Sequence, residues 1–159
     1  MDEKKLAIIA TKGSLDWAYP PFILASTAAA LGYQTQIFFT FYGLQLLKKD
    51  LTLEVSPLGN PGMPMPMGMD KWFPVLGTAL PGMQSVMTKM MKQKMKSKGV
   101  ASVEELRELC QEAEVKFIAC QMTVDLFDMD TSAFIDGIEY AGAAAFFEFA
   151  GDSDICLYI

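Results

Sequence analysis

A doubly wound α/β fold is what this 159-residue sequence predicts, and three observations predict it. Leu6 to Thr11 is a continuous apolar run, the pattern of a central parallel strand buried on both faces. Two further runs rich in β-branched and aromatic residues follow, at about Thr35 to Thr40 and Val115 to Cys120. Helical patterns with recognisable ends lie before each of them. Strands alternating with helices imply a three-layer sandwich around a mostly parallel sheet of about five strands, with right-handed crossovers.

The elements follow in order. After the first strand, Lys12-Gly13-Ser14 is a polar turn. A helix then starts between Ser14 and Pro20, with Pro20 and Pro21 suited to a first helical turn, and Leu31-Gly32-Tyr33 suits its end. The strand at Thr35 leads to a short helix over Gly43 to Lys49 and a short strand over Leu51 to Val55. Ser102 with Glu105 three residues on forms a capping box for a helix running to about Ala113. Beyond Cys120 a further helix starts, then a short strand over Gly137 to Tyr140, a helix over Gly142 to Ala150 and a last strand over Asp154 to Ile159.

Composition narrows the classes of function. At 52% hydrophobic residues and a mean hydropathy of +0.24, the chain buries a sizeable core and reads as one domain over 1–159. Net charge −6 and a pI near 4.6 argue against nucleic-acid binding. Only five apolar residues separate Met1-Asp2-Glu3-Lys4-Lys5 from Thr11, too few for a secretory signal, so a cytoplasmic, thiol-reducing location is expected. Trp17 to Leu47 carries no charge, yet its prolines, Gly32 and polar Gln34-Thr35-Gln36 divide it into a buried helix and a buried strand. Trp72 to Thr88 is similarly broken by Pro74, Gly77, Pro81 and Gly82, which argues against a membrane span.

Histidine is absent, which removes Cys–His catalysis and His-ligated metals. Three cysteines at no metal-site spacing make neither a zinc motif nor a disulfide framework, so no metal and no cofactor are expected. Thr11-Lys12-Gly13-Ser14 matches neither the dinucleotide fingerprint nor a P-loop. The leading chemical candidate is Cys120, at a strand-to-helix junction where the amides of Met122, Thr123 and their neighbours would favour a thiolate. Thr123 offers a hydroxyl donor as well. In a flavodoxin-like order the first and third strands are neighbours, which would bring Thr11, Lys12 and Gly13 beside Cys120, with Lys12 adding to thiolate stabilisation. Taken alone, a cysteine closing an apolar strand is most often inert core. Cys110 beside Leu106 and Leu109 reads as packing, and Cys156 between Ile155 and Leu157 as core, with a second redox thiol as its alternative role.

Four segments resemble the DsrE/DsrF-like proteins: Leu6-Ala7-Ile8-Ile9 with Lys12-Gly13; Ile37 to Leu44; Cys120-Gln121-Met122-Thr123; and Gly137 to Gly142 with Ala143-Ala144. The resemblance covers nearly the whole chain and is strongest to the branch with a Met-rich insertion, here about 57–98. It implies a flavodoxin-like fold, homo-oligomers (trimers or hexamers) and sulfur relay between donor and acceptor proteins through a persulfide. The sulfur-bearing residue would be Cys120, with Lys12 and Gly13 shaping its pocket.

The insertion has its own character. Met63, Met65, Met67 and Met69 alternate with Pro and Gly, which denies that stretch a regular helix; without His or Cys they are a poor copper(I) site. Met83, Met87, Met90 and Met91 recur at helical spacing among Lys89, Lys92, Lys94, Lys96 and Lys98. The block between Asp70 and Glu104 carries +6, leaving −12 for the rest. Core or subunit packing is its ordinary role. The alternative is a binding or assembly module that docks a partner, a sister subunit or an anionic membrane surface through residues 72–98.

Overall fold

Five strands alternate with helices in the computed structural model, which describes residues 3–57, 77 and 79–159. The strands are β1 (Lys5–Ala10), β2 (Gln34–Phe39), β3 (Lys116–Cys120), β4 (Ile138–Ala141) and β5 (Ile155–Tyr158). The helices are α1 (Leu15–Ala30), α2 (Met83–Ser97), α3 (Val103–Glu112), α4 (Gln121–Leu126) and α5 (Ala143–Ala150). A 3-10 segment, Phe41–Leu47, stands where a short helix is expected, and a second, Thr131–Ala133, precedes β4. All strand pairs are parallel, in the order β4-β3-β2-β1-β5.

Alternation along the strands distributes the core between two helical layers. On one face, Phe22 of α1 packs its ring 6.0 Å from Phe39 and 5.9 Å from Phe117, and the Cys110 thiol of α3 donates to the Phe22 carbonyl at 3.4 Å. On the other, Phe146 of α5 packs 5.3 Å from Phe38 in a cluster that includes Ala7, Ile118 and Cys120. The strand order follows. Right-handed crossovers through α1 and α3 on one face add β2 and then β3 to the same side of β1, while α5 on the opposite face carries the chain back to β5 at the far edge. The expected adjacency of the first and third strands is therefore corrected: β2 lies between them.

The prolines sit deeper than the sequence suggests. Pro20 and Pro21 lie inside α1, which begins at Leu15, so two backbone donors are missing from the helix. Complete burial of Ala18, Phe22 and Ala25 offsets the loss. Gly32, at φ +84°, closes α1 as expected, with Tyr33 N–H donating to Ala28 O at 3.0 Å. At the upper sheet edge two loops approach so closely that a Cβ on Gly43 would collide with the Ala10 carbonyl oxygen, and one on Gly13 with that of Tyr42.

The chain divides into two compact units, the second comprising residues 14–16 and 52–101. The expected insertion lies within the second. Leu51 to Val55 joins no ladder, against expectation. The backbone groups of Val55 are taken up by α2 side chains instead, its N–H donating to Thr88 Oγ1 at 3.0 Å and its carbonyl accepting from Gln84 Nε2 at 2.9 Å, while the Glu54 carbonyl accepts from the Leu15 N–H at 2.8 Å. The basic, Met-bearing helix forms as α2, with Val86 and Met90 exposed. The Met63 to Met69 stretch lies outside the described residues. Among those described, no helix is long and apolar enough to cross a membrane.

Candidate functional site

Cys120 ends β3 and immediately precedes α4, and the register places Ala141 of β4 beside it on one side. On the other side the pair Phe39–Ala119 leaves Thr40 level with Cys120. Only 5% of the cysteine is exposed. Burial pushes its thiol up, but hydrogen bonds from the Thr123 hydroxyl and amide, the Thr40 hydroxyl and the Met122 amide outweigh burial and hold it below the ordinary thiol range. The helix expected after Cys120 is only six residues long, so these individual donors, rather than a macrodipole, carry the effect. No charged side chain among the described residues contributes to it.

The donors are themselves held. Thr123 is fully buried; its Oγ1 lies 3.2 Å from Thr40 Oγ1 and accepts from the Phe41 N–H at 3.3 Å. Phe41 adopts φ +48°, which is uncommon for a bulky residue. Around this corner Phe41, Tyr42 and Phe127 form an exposed aromatic group, Tyr42 stacking on Phe127 at 5.9 Å. Beyond Tyr42 and Phe127 lies an open cavity of about 420 Å³, floored by Phe134 and rimmed by Asp128 and Asp130; Cys120 does not line it. Asp125 is exposed and accepts from Gln121 Nε2 at 2.7 Å, as suits a residue on the helix surface.

The other predicted residues are placed differently. Met122 contributes its amide while its side chain is exposed. Lys12 holds its ammonium 3.2 Å from the centroid of the Trp17 ring and is absent from the groups acting on Cys120. Gly13 packs under Tyr42 and Gln45 at the end of β1, with β2 between that strand and Cys120. Cys110 is fully buried, as expected of packing, and burial pushes its thiol up to about 12. Cys156 is exposed, not core, because β5 is an edge strand whose flanking Ile155 and Tyr158 are exposed too. It shares a sheet face with Cys120, but three strand spacings, roughly 14 Å across the sheet, and a further four-residue offset along the strands separate them, too far for a disulfide within one chain. Thr40, which the sequence did not single out, belongs to the site; its only signal is a hydroxyl at the end of the strand that proves to be β3's neighbour.

An all-parallel α/β protein with a buried, hydrogen-bonded cysteine at a strand end is the class these features define. The chain belongs to the DsrE/DsrF/DrsH-like family, whose model matches residues 2–158. It is 87% identical, over the full length of both chains, to a protein of Allochromatium vinosum named sulfur carrier protein DsrE2. It is also 33% identical to the uncharacterized protein YrkE of Bacillus subtilis, with 98% of this chain and 97% of that one covered. Among solved structures, the crystal structure of the ychN protein from E. coli aligns with a TM-score of 0.56 over 98% of this chain and 99% of that one. At 11% identity that likeness concerns the fold alone.

Proposed function

We propose that this chain is a sulfur carrier in which Cys120 takes up and hands on sulfane sulfur as a persulfide. The observation that carries the proposal is the placement of a buried cysteine at the end of β3 among the Thr40 and Thr123 hydroxyls and the Met122 and Thr123 amides, which favour its thiolate without a base or charged partner among the described residues. In the loading step the Cys120 thiolate attacks the outer sulfur of a donor protein's persulfide. An S–S bond forms at Cys120, the donor's S–S bond breaks, and the donor thiolate leaves with the electron pair. In the unloading step an acceptor thiolate attacks the outer sulfur on Cys120, and Cys120 leaves as a thiolate. A stabilised thiolate is the better leaving group, so the same four donors assist the second step. Neither step requires a general base or an external oxidant.

The relationship to a protein named as a sulfur carrier supports this assignment, as do the fold and the strand-end position. The partners are a sulfur donor and a sulfur acceptor protein. A reducing cytoplasmic location and homo-oligomeric assembly suit it, the exposed Phe147 of α5 and Tyr158 of β5 offering apolar surface for sister subunits. Lys12 and Gly13 shape the neighbouring loop rather than the sulfur environment, and Cys156 takes no step within the same chain.

The test is intact mass after brief exposure to a persulfide donor, for the native chain and Cys120→Ser, with dithiothreitol reversal. A reversible gain of one sulfur on the native chain alone is expected. No gain, or a gain mapping to Cys110 or Cys156, would overturn the proposal and turn attention to α2 as a docking module.

A further inference from the structure

A threonine hydroxyl has one hydrogen and two acceptor positions. On Thr123 the Phe41 N–H takes one of those positions, and Thr40 Oγ1 is the neighbouring oxygen at 3.2 Å. When Thr40 donates across that contact, both acceptor positions on Thr123 are filled and its own hydrogen turns to the remaining neighbour, the Cys120 sulfur. When Thr123 donates instead, the Thr40 hydrogen is left for the sulfur. Each arrangement ends with a hydroxyl hydrogen on sulfur. A thiolate accepts that hydrogen in a charge-assisted bond, whereas a thiol returns only a weak S–H donor to the pair.

We propose that Thr40 is a positioning residue for the Cys120 sulfur, and that the left-handed turn at Phe41, by aiming its N–H onto Thr123 Oγ1, holds the Thr40–Thr123 pair so that one of its two hydroxyl hydrogens is left for the sulfur. The proposal rests on Cys120 as the sulfur-bearing residue. Three independent placements agree: Thr40 is level with Cys120 across the β2–β3 pair, Thr123 is shielded from water, and Phe41 turns its N–H onto Thr123 at φ +48°. Competing charges are not involved. Asp125 on α4, Glu139 on β4 and Glu148 on α5 are exposed, and none acts on the sulfur.

The experiment follows alkylation of Cys120 by iodoacetamide across pH, read at the peptide level, in the native chain, Thr40→Val and Thr40→Ser. Persulfide loading is measured in parallel. Thr40→Val takes away the hydroxyl that steers and polarises the Thr123 donor, and is expected to move the profile to higher pH and slow alkylation at neutral pH roughly two- to fivefold, the effect of weakening one bond to a charged acceptor. Thr40→Ser, which keeps the hydroxyl, is expected to track the native chain. Thr40→Ala makes the same comparison should valine prevent folding. A Thr40→Val or Thr40→Ala profile indistinguishable from native overturns the proposal, as does a Thr40→Ser profile displaced as far as that of valine. A native chain that shows the Thr40 dependence yet gains no sulfur refutes the carrier assignment and upholds the positioning role. A chain that loads sulfur with a Thr40-independent profile does the reverse.

Discussion

Thr123→Val removes one oxygen from the interior and keeps the side-chain volume, so its effects are those of lost hydrogen bonds rather than of a cavity. Thr123 is 0% exposed, and its Oγ1 is the acceptor for the Phe41 N–H at 3.3 Å. Leaving that part-buried N–H without its partner costs about 1 kcal/mol of stability. At the sulfur, the thiolate loses a bond worth roughly 1.5–3 kcal/mol and the thiol one worth roughly 0.5–1.5 kcal/mol. The difference of about 1–1.5 kcal/mol lowers the thiolate fraction at neutral pH roughly five- to tenfold. Linkage sets the sign of the pH dependence. The folded Cys120 thiol lies below its unfolded value, so between the two the unfolded chain holds a proton that the folded chain has released. Its contribution to stability is present above the unfolded value and fades as pH falls through the folded one. Cys110, pushed up to about 12 by burial, has the opposite slope in alkaline solution, being stabilising below its unfolded value and losing that as pH rises. Subtracting Thr123→Val from native cancels the Cys110 part. Urea midpoints measured from weakly acidic to alkaline pH should therefore show a native-minus-variant difference that grows with pH, alongside slower Cys120 alkylation. A difference that is flat in pH, together with an unchanged alkylation rate, would refute the reasoning.

Three further outcomes are expected. Gly43→Ala forces a Cβ against the Ala10 carbonyl oxygen and should cost about 1–3 kcal/mol, visible in the urea midpoint; a neutral substitution would mean that the loop shifts freely. Brief alkylation of the folded chain should label Cys156 and Cys120 while sparing Cys110 until urea is added, as peptide mapping would show. Ser102→Ala removes one arm of the capping box at the start of α3, Glu105 N–H to Ser102 Oγ at 3.1 Å, and leaves the other, the residue-102 N–H to Glu105 Oε2 at 2.7 Å. It should lower stability by about 1 kcal/mol without changing Cys120 alkylation.

Local chemistry made much of this fold readable. Apolar runs at Leu6 and Val115, the Ser102–Glu105 box and Gly32 at a helix end each depend on near neighbours in sequence, and each appears where it was expected. Strand order depends on which sheet face each crossover helix covers, and no local pattern states that. Strand order also decides the neighbours of Cys120: a first strand beside it would make Lys12 a partner, whereas with β2 there the hydroxyl level with it is that of Thr40. Cys156 follows the same logic: Ile155-Cys156-Leu157 alternates as a buried strand would, but an edge position leaves it exposed. Leu51 to Val55 shows the limit of β-propensity, since side chains of α2 take up the backbone groups of Val55 without a ladder.

The sulfur environment draws on residues 83 positions apart, Thr40 and Thr123, with residues 52–101 falling between them in the sequence. Of the groups that hold the Cys120 thiolate, the Thr40 hydroxyl at the end of β2 arrives only when β2 and β3 pair, whereas those of Met122 and Thr123 lie beside the cysteine in sequence. Part of the reactivity is therefore a product of folding, completed as the sheet closes.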